Sequence, residues 1–268
     1  MFRKIRIALL LVILFAVAMN AWVDRVNSRN WERTLRVAVY PINGDQSQAG
    51  ARYIRALERE DFLPVEAYFK EQGQRYDLPL KNLVDIRLAH EVTEPPPALP
   101  AGAGMLDTML WSLKLRYWAF RVDKYEGPAP EVKMFMLFFD PATHDRLPHS
   151  VGLEKGLIGV VQAYAGRRFA ARNNVVFTHE LLHTVGASDK YHPGNNMPVF
   201  PEGYAEPDRT PRLPQSLAEI MGGRIPLGET RAVMPGSLAQ TLIGPVTAME
   251  INWLTPDDYR LADAGGGR

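Results

Sequence analysis

The chain has 268 residues, 46% hydrophobic and 23% charged, enough to bury one full core or two unequal lobes. Its net charge of +1 gives no basis for binding nucleic acid or an acidic surface partner. The absence of Cys excludes disulfides, thiolate metal sites and a Cys nucleophile, so any metal must be held by His and carboxylates.

The opening residues Met1-Phe2-Arg3-Lys4-Ile5-Arg6 are basic, and Ile7 to Val23 is apolar apart from Asn20. That pattern reads as a signal sequence or a single membrane span near the lower length limit. Ala16-Val17-Ala18 offers small residues of the kind a signal peptidase accepts, whereas Trp22 suits the interface of an uncleaved span. The basic leading flank faces a mixed one of Asp24, Arg25, Arg29, Glu32 and Arg33. This asymmetry predicts a membrane anchor with the body outside the cytoplasm, periplasmic or extracellular; a cleaved, secreted form is the alternative.

Leu35 to Tyr40 alternates and is Val-rich, so it predicts a strand, closed by a turn at Pro41-Ile42-Asn43-Gly44-Asp45. Ala49–Arg59 and Asp61–Tyr76 predict two helices broken near Pro64, with Asp61 placed to cap the second. Val84 to Ala89 is a second strand, and the Pro-rich run from Glu94 to Pro100 a stiff surface connection. Met105 to Val122 follows as a helix with Trp111, Leu115, Trp118 and Val122 on its core face. Val132 to Phe139 is apolar throughout, the pattern of a strand covered on both faces. Asp140 to Gly156 reads as a polar loop, and Leu157 to Ala165 as a further strand. Strands and helices alternating in this order predict an α/β layer.

The next stretch carries the chemistry. Val175 to Asp189 begins as a helix holding His179-Glu180-Leu181-Leu182-His183. Positions four apart share a helix face, so His179 and His183 can offer their imidazoles to one ion. Glu180 stands beside that point as a base for a metal-bound water. Gly186 lets the chain leave the helix sharply, and Asp189 then returns as a third ligand, leaving the fourth place for water. His192 and Glu219 are rivals for the third position. Beyond Asp189, six Pro between Tyr191 and Gln215 exclude regular elements and predict an ordered loop that shapes the site. In it, Tyr191 and Tyr204 are candidate oxyanion donors, and Glu202, Glu206 and Asp208 a candidate Ca²⁺ cluster, though tyrosines in Pro-rich loops more often anchor the loop and loop carboxylates are more often simply solvated. Pro245 opens a last helix that continues over Thr247 to Leu254, and Ala262 to Arg268 is a Gly-rich tail.

The run His179-Glu180-Leu181-Leu182-His183-Thr184-Val185-Gly186-Ala187-Ser188-Asp189 resembles the extended zinc signature of the metzincin metallopeptidases. It departs from that signature at the last position, where Asp stands for His, as in the snapalysin-like branch. Ala218-Glu219-Ile220-Met221-Gly222-Gly223 is similar to the family's Met-turn, with Met221 as its Met. The resemblance implies a zincin-like fold: a mostly parallel twisted sheet with an antiparallel edge strand that binds peptide, an active-site helix, and a smaller irregular C-terminal lobe. Leu157 to Ala165 is the candidate for that edge strand. The expected organisation is an anchor or signal over 1–29, an upper α/β subdomain over 30–186 and a Pro-rich lower subdomain over 187–268. The expected function is Zn²⁺-dependent hydrolysis of a peptide or protein substrate. The alternatives are an amidase acting on cell-wall peptides and a non-catalytic envelope protein with a structural metal.

Overall fold

The computed structural model describes residues 30–99, 102, 104–154, 156–255 and 257, together with Arg6, Val12, Phe15 and Met19. The expected anchor over 7–23 therefore lies outside the described residues apart from those isolated positions, as does the tail from 262 to 268. Among the described residues, no helix is long and apolar enough to cross a membrane.

The body is a mixed α/β layer around a five-stranded sheet. Its strands are β1 (Leu35–Asn43), β2 (Val84–Leu88), β3 (Val132–Phe139), β4 (Val151–Leu153) and β5 (Ile158–Tyr164), in the order β2-β1-β3-β5-β4. All neighbours are parallel except β4, which runs antiparallel along β5 at one edge. One face is covered by helices α1 (Gln48–Arg55), α2 (Leu63–Arg75) and α4 (Ala170–Thr184); the other carries α3 (Met105–Val122) alone. β3 sits at the centre with both faces covered, Met134 and Met136 in one cluster and Phe135 and Leu137 in the other. Its unbroken apolar sequence follows from that position.

Several boundaries differ from the sequence expectation for physical reasons. β1 continues through Pro41 to Asn43 rather than turning at Pro41. The Pro41 carbonyl accepts from the Val92 amide (2.9 Å), so the nitrogen without a proton faces the side where β2 has already ended, and no ladder bond to β3 is lost. Asp61 does not cap α2. It accepts from the Glu58 amide (2.9 Å) in a short 3₁₀ turn, and Pro64 begins the helix instead of breaking it. The antiparallel edge strand is β4, inside the stretch read as a polar loop, while Leu157–Ala165 supplies the interior parallel strand β5. Three residues of edge strand are too few for alternation to declare itself.

After α4 the chain is mostly irregular. It contains β6 (Ala218–Glu219) paired with β9 (Thr241–Leu242), the hairpin β7 (Ile225–Gly228) and β8 (Arg231–Val233), and the short helix α5 (Pro245–Glu250). One apolar cluster joins this part to the sheet, with Met221, Ile243, Ala248 and Trp253 packing with Phe69, Phe177 and Leu181. Trp31 closes it, stacked on Phe69 and donating from its indole to the Ile251 carbonyl (2.6 Å).

β4 lies hard against α4. A Cβ on Gly152 would stand 2.4 Å from the Glu180 carbonyl oxygen and 2.5 Å from the His183 Cβ, both on the rigid helix. Gly152→Ala is therefore expected to push strand and helix apart and to cost about 1–3 kcal/mol in chemical denaturation, the range for overpacking. A fully stable variant would show that this close approach is not required.

Candidate metal centre

The site is assembled from the end of α4 and the turn behind it. Asn173 fixes the helix to the sheet by donating to the Tyr164 carbonyl (2.9 Å) and accepting from the Tyr164 amide (3.2 Å) at the end of β5. Val175, Phe177, Leu181 and Leu182 then bury the inner face, which turns His179 and His183 to one edge. The helix closes in a Schellman motif: Ala187 donates to the Leu182 carbonyl (3.0 Å) and Gly186 to the His183 carbonyl (3.1 Å). Gly186 has φ 106°, which a side chain would resist. The reversal returns Asp189 to the two imidazoles.

Three ligand atoms converge. His179 Nε2 and His183 Nε2 are 3.1 Å apart, and Asp189 Oδ1 lies 3.2 Å from the first and 3.1 Å from the second. Bonds of about 2.0–2.1 Å at a tetrahedral ion set ligand atoms about 3.3–3.4 Å apart, so the triangle needs only slight expansion to accept Zn²⁺. The other ring nitrogens fix the tautomer. His179 Nδ1 faces the Ile220 carbonyl (2.9 Å) and His183 Nδ1 the Ala187 carbonyl (2.8 Å). A carbonyl only accepts, so each Nδ1 carries a proton, and once Nε2 is free of one each ring would aim that lone pair at the common point. Hard carboxylate and borderline imidazole donors with one side open suit a zinc that keeps a water.

Electrostatics reinforce the triangle in the metal-free protein. Burial disfavours a charged His179, yet hydrogen bonding to Asp189, the Glu180 charge and the Ile220 carbonyl outweigh it and raise its pKa to about 9. Burial also opposes the Asp189 carboxylate, but the two imidazoles bonded to it hold its pKa well below the usual range. A proton on His179 thus stands where the ion's charge would be.

Glu180 is buried on the same turn. Its Oε2 meets no hydrogen-bond partner among the described residues, and burial pushes its pKa up against the pull of the two imidazoles. A carboxylate left half-unpartnered indoors costs free energy and is unusual outside a working site.

The remaining sequence candidates divide. Met221 is fully buried in the core, and its neighbour Ile220 supplies the carbonyl that orients His179. Tyr191 stacks near His179 (ring centroids 6.3 Å apart). Burial and the Asp189 carboxylate raise its hydroxyl to about 12. Tyr204 bridges Ala218 and packs edge-on against Phe200, so it anchors the loop. Glu219 cannot serve as a ligand. It is buried away from the triangle, accepting from the Gly222 amide (2.7 Å), the Gly244 amide (3.1 Å) and the Thr247 hydroxyl (2.8 Å). His192 is exposed and stands outside the group formed by His179, His183 and Asp189, the sole potential metal-ligand group among the described residues. Glu206, a Ca²⁺ candidate, accepts from the Ser216 amide (2.8 Å) and Arg209 (3.2 Å) within its own loop.

The sequence reading missed Lys190, which is buried beside Asp189 and bonds Glu250 (2.7 Å) and the Ser188 carbonyl (2.9 Å). Glu250 also accepts from the Ser188 amide (2.9 Å), so the ligand turn is pinned to α5. A Lys next to a ligand is the one local hint, since its partner is 60 positions away.

Two outcomes are expected. Asp189→Ala should lose stoichiometric zinc, while His192→Ala should retain it, as read by metal content after gel filtration; zinc retained without Asp189 would reassign the third ligand. In metal-free protein the His179 ring should titrate near pH 9 by NMR and fall towards 6.5 in Asp189→Asn. A raised folded-state value means that this pair stabilises the metal-free fold fully below the ordinary His pKa and is lost as pH rises through about 9.

In comparison with known proteins, the chain matches no protein-family model and no curated sequence.

Proposed function

We propose that this protein is a zincin-like, metzincin-type zinc metallopeptidase that hydrolyses peptide bonds, held by its N-terminal segment at a membrane with the body outside the cytoplasm. The observation that carries the reading is the convergence of His179, His183 and Asp189 beside a buried Glu180 carboxylate with an unpartnered oxygen. When bound, Zn²⁺ supplies a Lewis acid that polarises a carbonyl and brings the pKa of its water towards neutrality. His179 and His183 hold it through Nε2 and Asp189 through a carboxylate oxygen.

Glu180 is the proton carrier. Its carboxylate accepts the proton that the attacking water loses and returns it to the leaving amine nitrogen. Burial raises its pKa towards the operating range, where one group can both take and release a proton. Tyr191 keeps its hydroxyl protonated far above neutral pH and so remains a donor for the developing oxyanion. The antiparallel edge strand β4, packed against the helix at Gly152, is the surface on which an extended peptide backbone would lie.

A structural zinc takes four protein ligands, whereas three converge among the described residues, and a structural site has no use for Glu180. Glu180→Gln is expected to keep zinc and lose peptide hydrolysis by about 10²-fold or more, the contribution typical of a general base. Undiminished chelator-sensitive hydrolysis by that variant would sink the mechanism.

A further inference from the structure

Helix α3 has two apolar faces. At 100° per residue, Trp111, Leu115, Trp118, Ala119 and Val122 form one arc, buried against Tyr40, Phe135 and Ile158 of the sheet. On the opposite side, Met105, Leu106, Met109, Leu110, Leu113, Tyr117 and Phe120 form a second arc about 140° wide. These seven side chains are between 56% and 83% exposed. A contiguous apolar stripe along an 18-residue helix is far more than the scattered apolar residues of an ordinary surface.

Charge and position say what covers it. Lys114 and Arg121 border the stripe on one side; Arg116 falls inside its other margin, between Met105 and Met109, half-buried and bonded to the Ser112 carbonyl and hydroxyl (both 3.3 Å); Asp107 is the helix's only acid. Arg121 is partly answered by Glu94. An apolar stripe carrying Tyr and Phe with basic borders is the pattern of a helix lying in the headgroup region of an anionic bilayer. A second copy would return the same basic borders to itself. The chain itself supplies the approach. Trp31 is fixed in the core, and only Asp24 to Asn30 separate it from the apolar run ending at Val23, a tether of at most about 25 Å. α3 ends at the same end of the sheet where the chain enters. Asp123, just past the helix, is bonded by Lys133 (2.5 Å), whose strand partner is Ala38.

We infer that the outer face of α3 is a membrane-docking surface that lies in the headgroup region of an anionic lipid bilayer. This rests on the membrane anchor expected over residues 7–23 and is independent of the peptidase reading. The stripe inserts its seven apolar side chains while Lys114 and Arg121 meet lipid phosphates. The body is then held by two elements rather than one.

The chain has no Cys, so single labels can be placed cleanly. Full-length Leu113→Cys and Gln74→Cys proteins, the second on α2 across the sheet, carry a polarity-sensitive fluorophore in vesicles of phosphatidylcholine with or without phosphatidylglycerol. The expected result is a blue-shifted label at 113, quenched by nitroxide lipids and more strongly with phosphatidylglycerol, and a water-like label at 74. Lys114→Glu with Arg121→Glu should remove the phosphatidylglycerol dependence. A water-like label at 113 in both vesicle types overturns the proposal. So does a blue-shifted label at 113 that nitroxide lipids do not quench. In that case protection that grows with protein concentration assigns the face to a second copy, and protection independent of concentration assigns it to the N-terminal segment.

Discussion

The centre depends on two hydrogen bonds from imidazole to backbone carbonyl. Without the Ile220 and Ala187 carbonyls, His179 and His183 could rotate or change tautomer, and spacing along a helix alone would not make their Nε2 atoms meet. Those carbonyls come from different places. Ala187 belongs to the Schellman turn that closes the same helix, whereas Ile220 follows β6, which the β9 pairing and the buried Glu219 hold in place. The irregular C-terminal part is thus what aims one ligand, and the helix cap aims the other. Asp189 completes the triangle because Lys190, Ser188 and Glu250 pin its turn to α5.

The same centre carries a cost. Gathering the Asp189 carboxylate and two half-buried imidazoles within about 3 Å of one another without an ion calls for an opposing charge, which the proton on His179 provides. The metal-free arrangement is therefore already near the arrangement that binds. An ion bound there would displace a proton rather than reorganise loops. Glu180 shares in that compensation only through its charge, which the imidazoles pull on without bonding its Oε2. One of its oxygens stays unpaired, and such a deficit is retained where function requires it.

How much could be read in advance follows from range. The mostly parallel layer was legible because β1, β3 and β5 are Val-rich or apolar runs, with helices between β1 and β2, between β2 and β3, and after β5. That His179, His183 and Asp189 could meet was legible because the helix spacing and the turn at Gly186 are local, whereas the Ile220 carbonyl and Glu250 that hold them are distant in sequence. The antiparallel edge was misplaced, since β4 has three residues and its identity comes from packing on α4 through Gly152. Lys190 with Glu250, and Glu219 with Gly244 and Thr247, are contacts between segments distant in sequence, which periodicity cannot register. The core stripe of α3 was read correctly, but a core stripe says nothing of the opposite arc. Its exposure emerges only once no other element is found to cover it among the described residues.

The sheet keeps the two roles of the molecule apart. α4 and the C-terminal segment pack on one face and α3 on the other, with the doubly covered β3 between them. A bilayer meeting the outer arc of α3, as proposed, would approach from the side away from the histidines and would leave the candidate metal centre uncovered. That division also explains why α3 can tolerate an apolar outer arc. The arc contributes nothing to the core that holds the ligands, and its composition is free to be set by what lies beyond the protein.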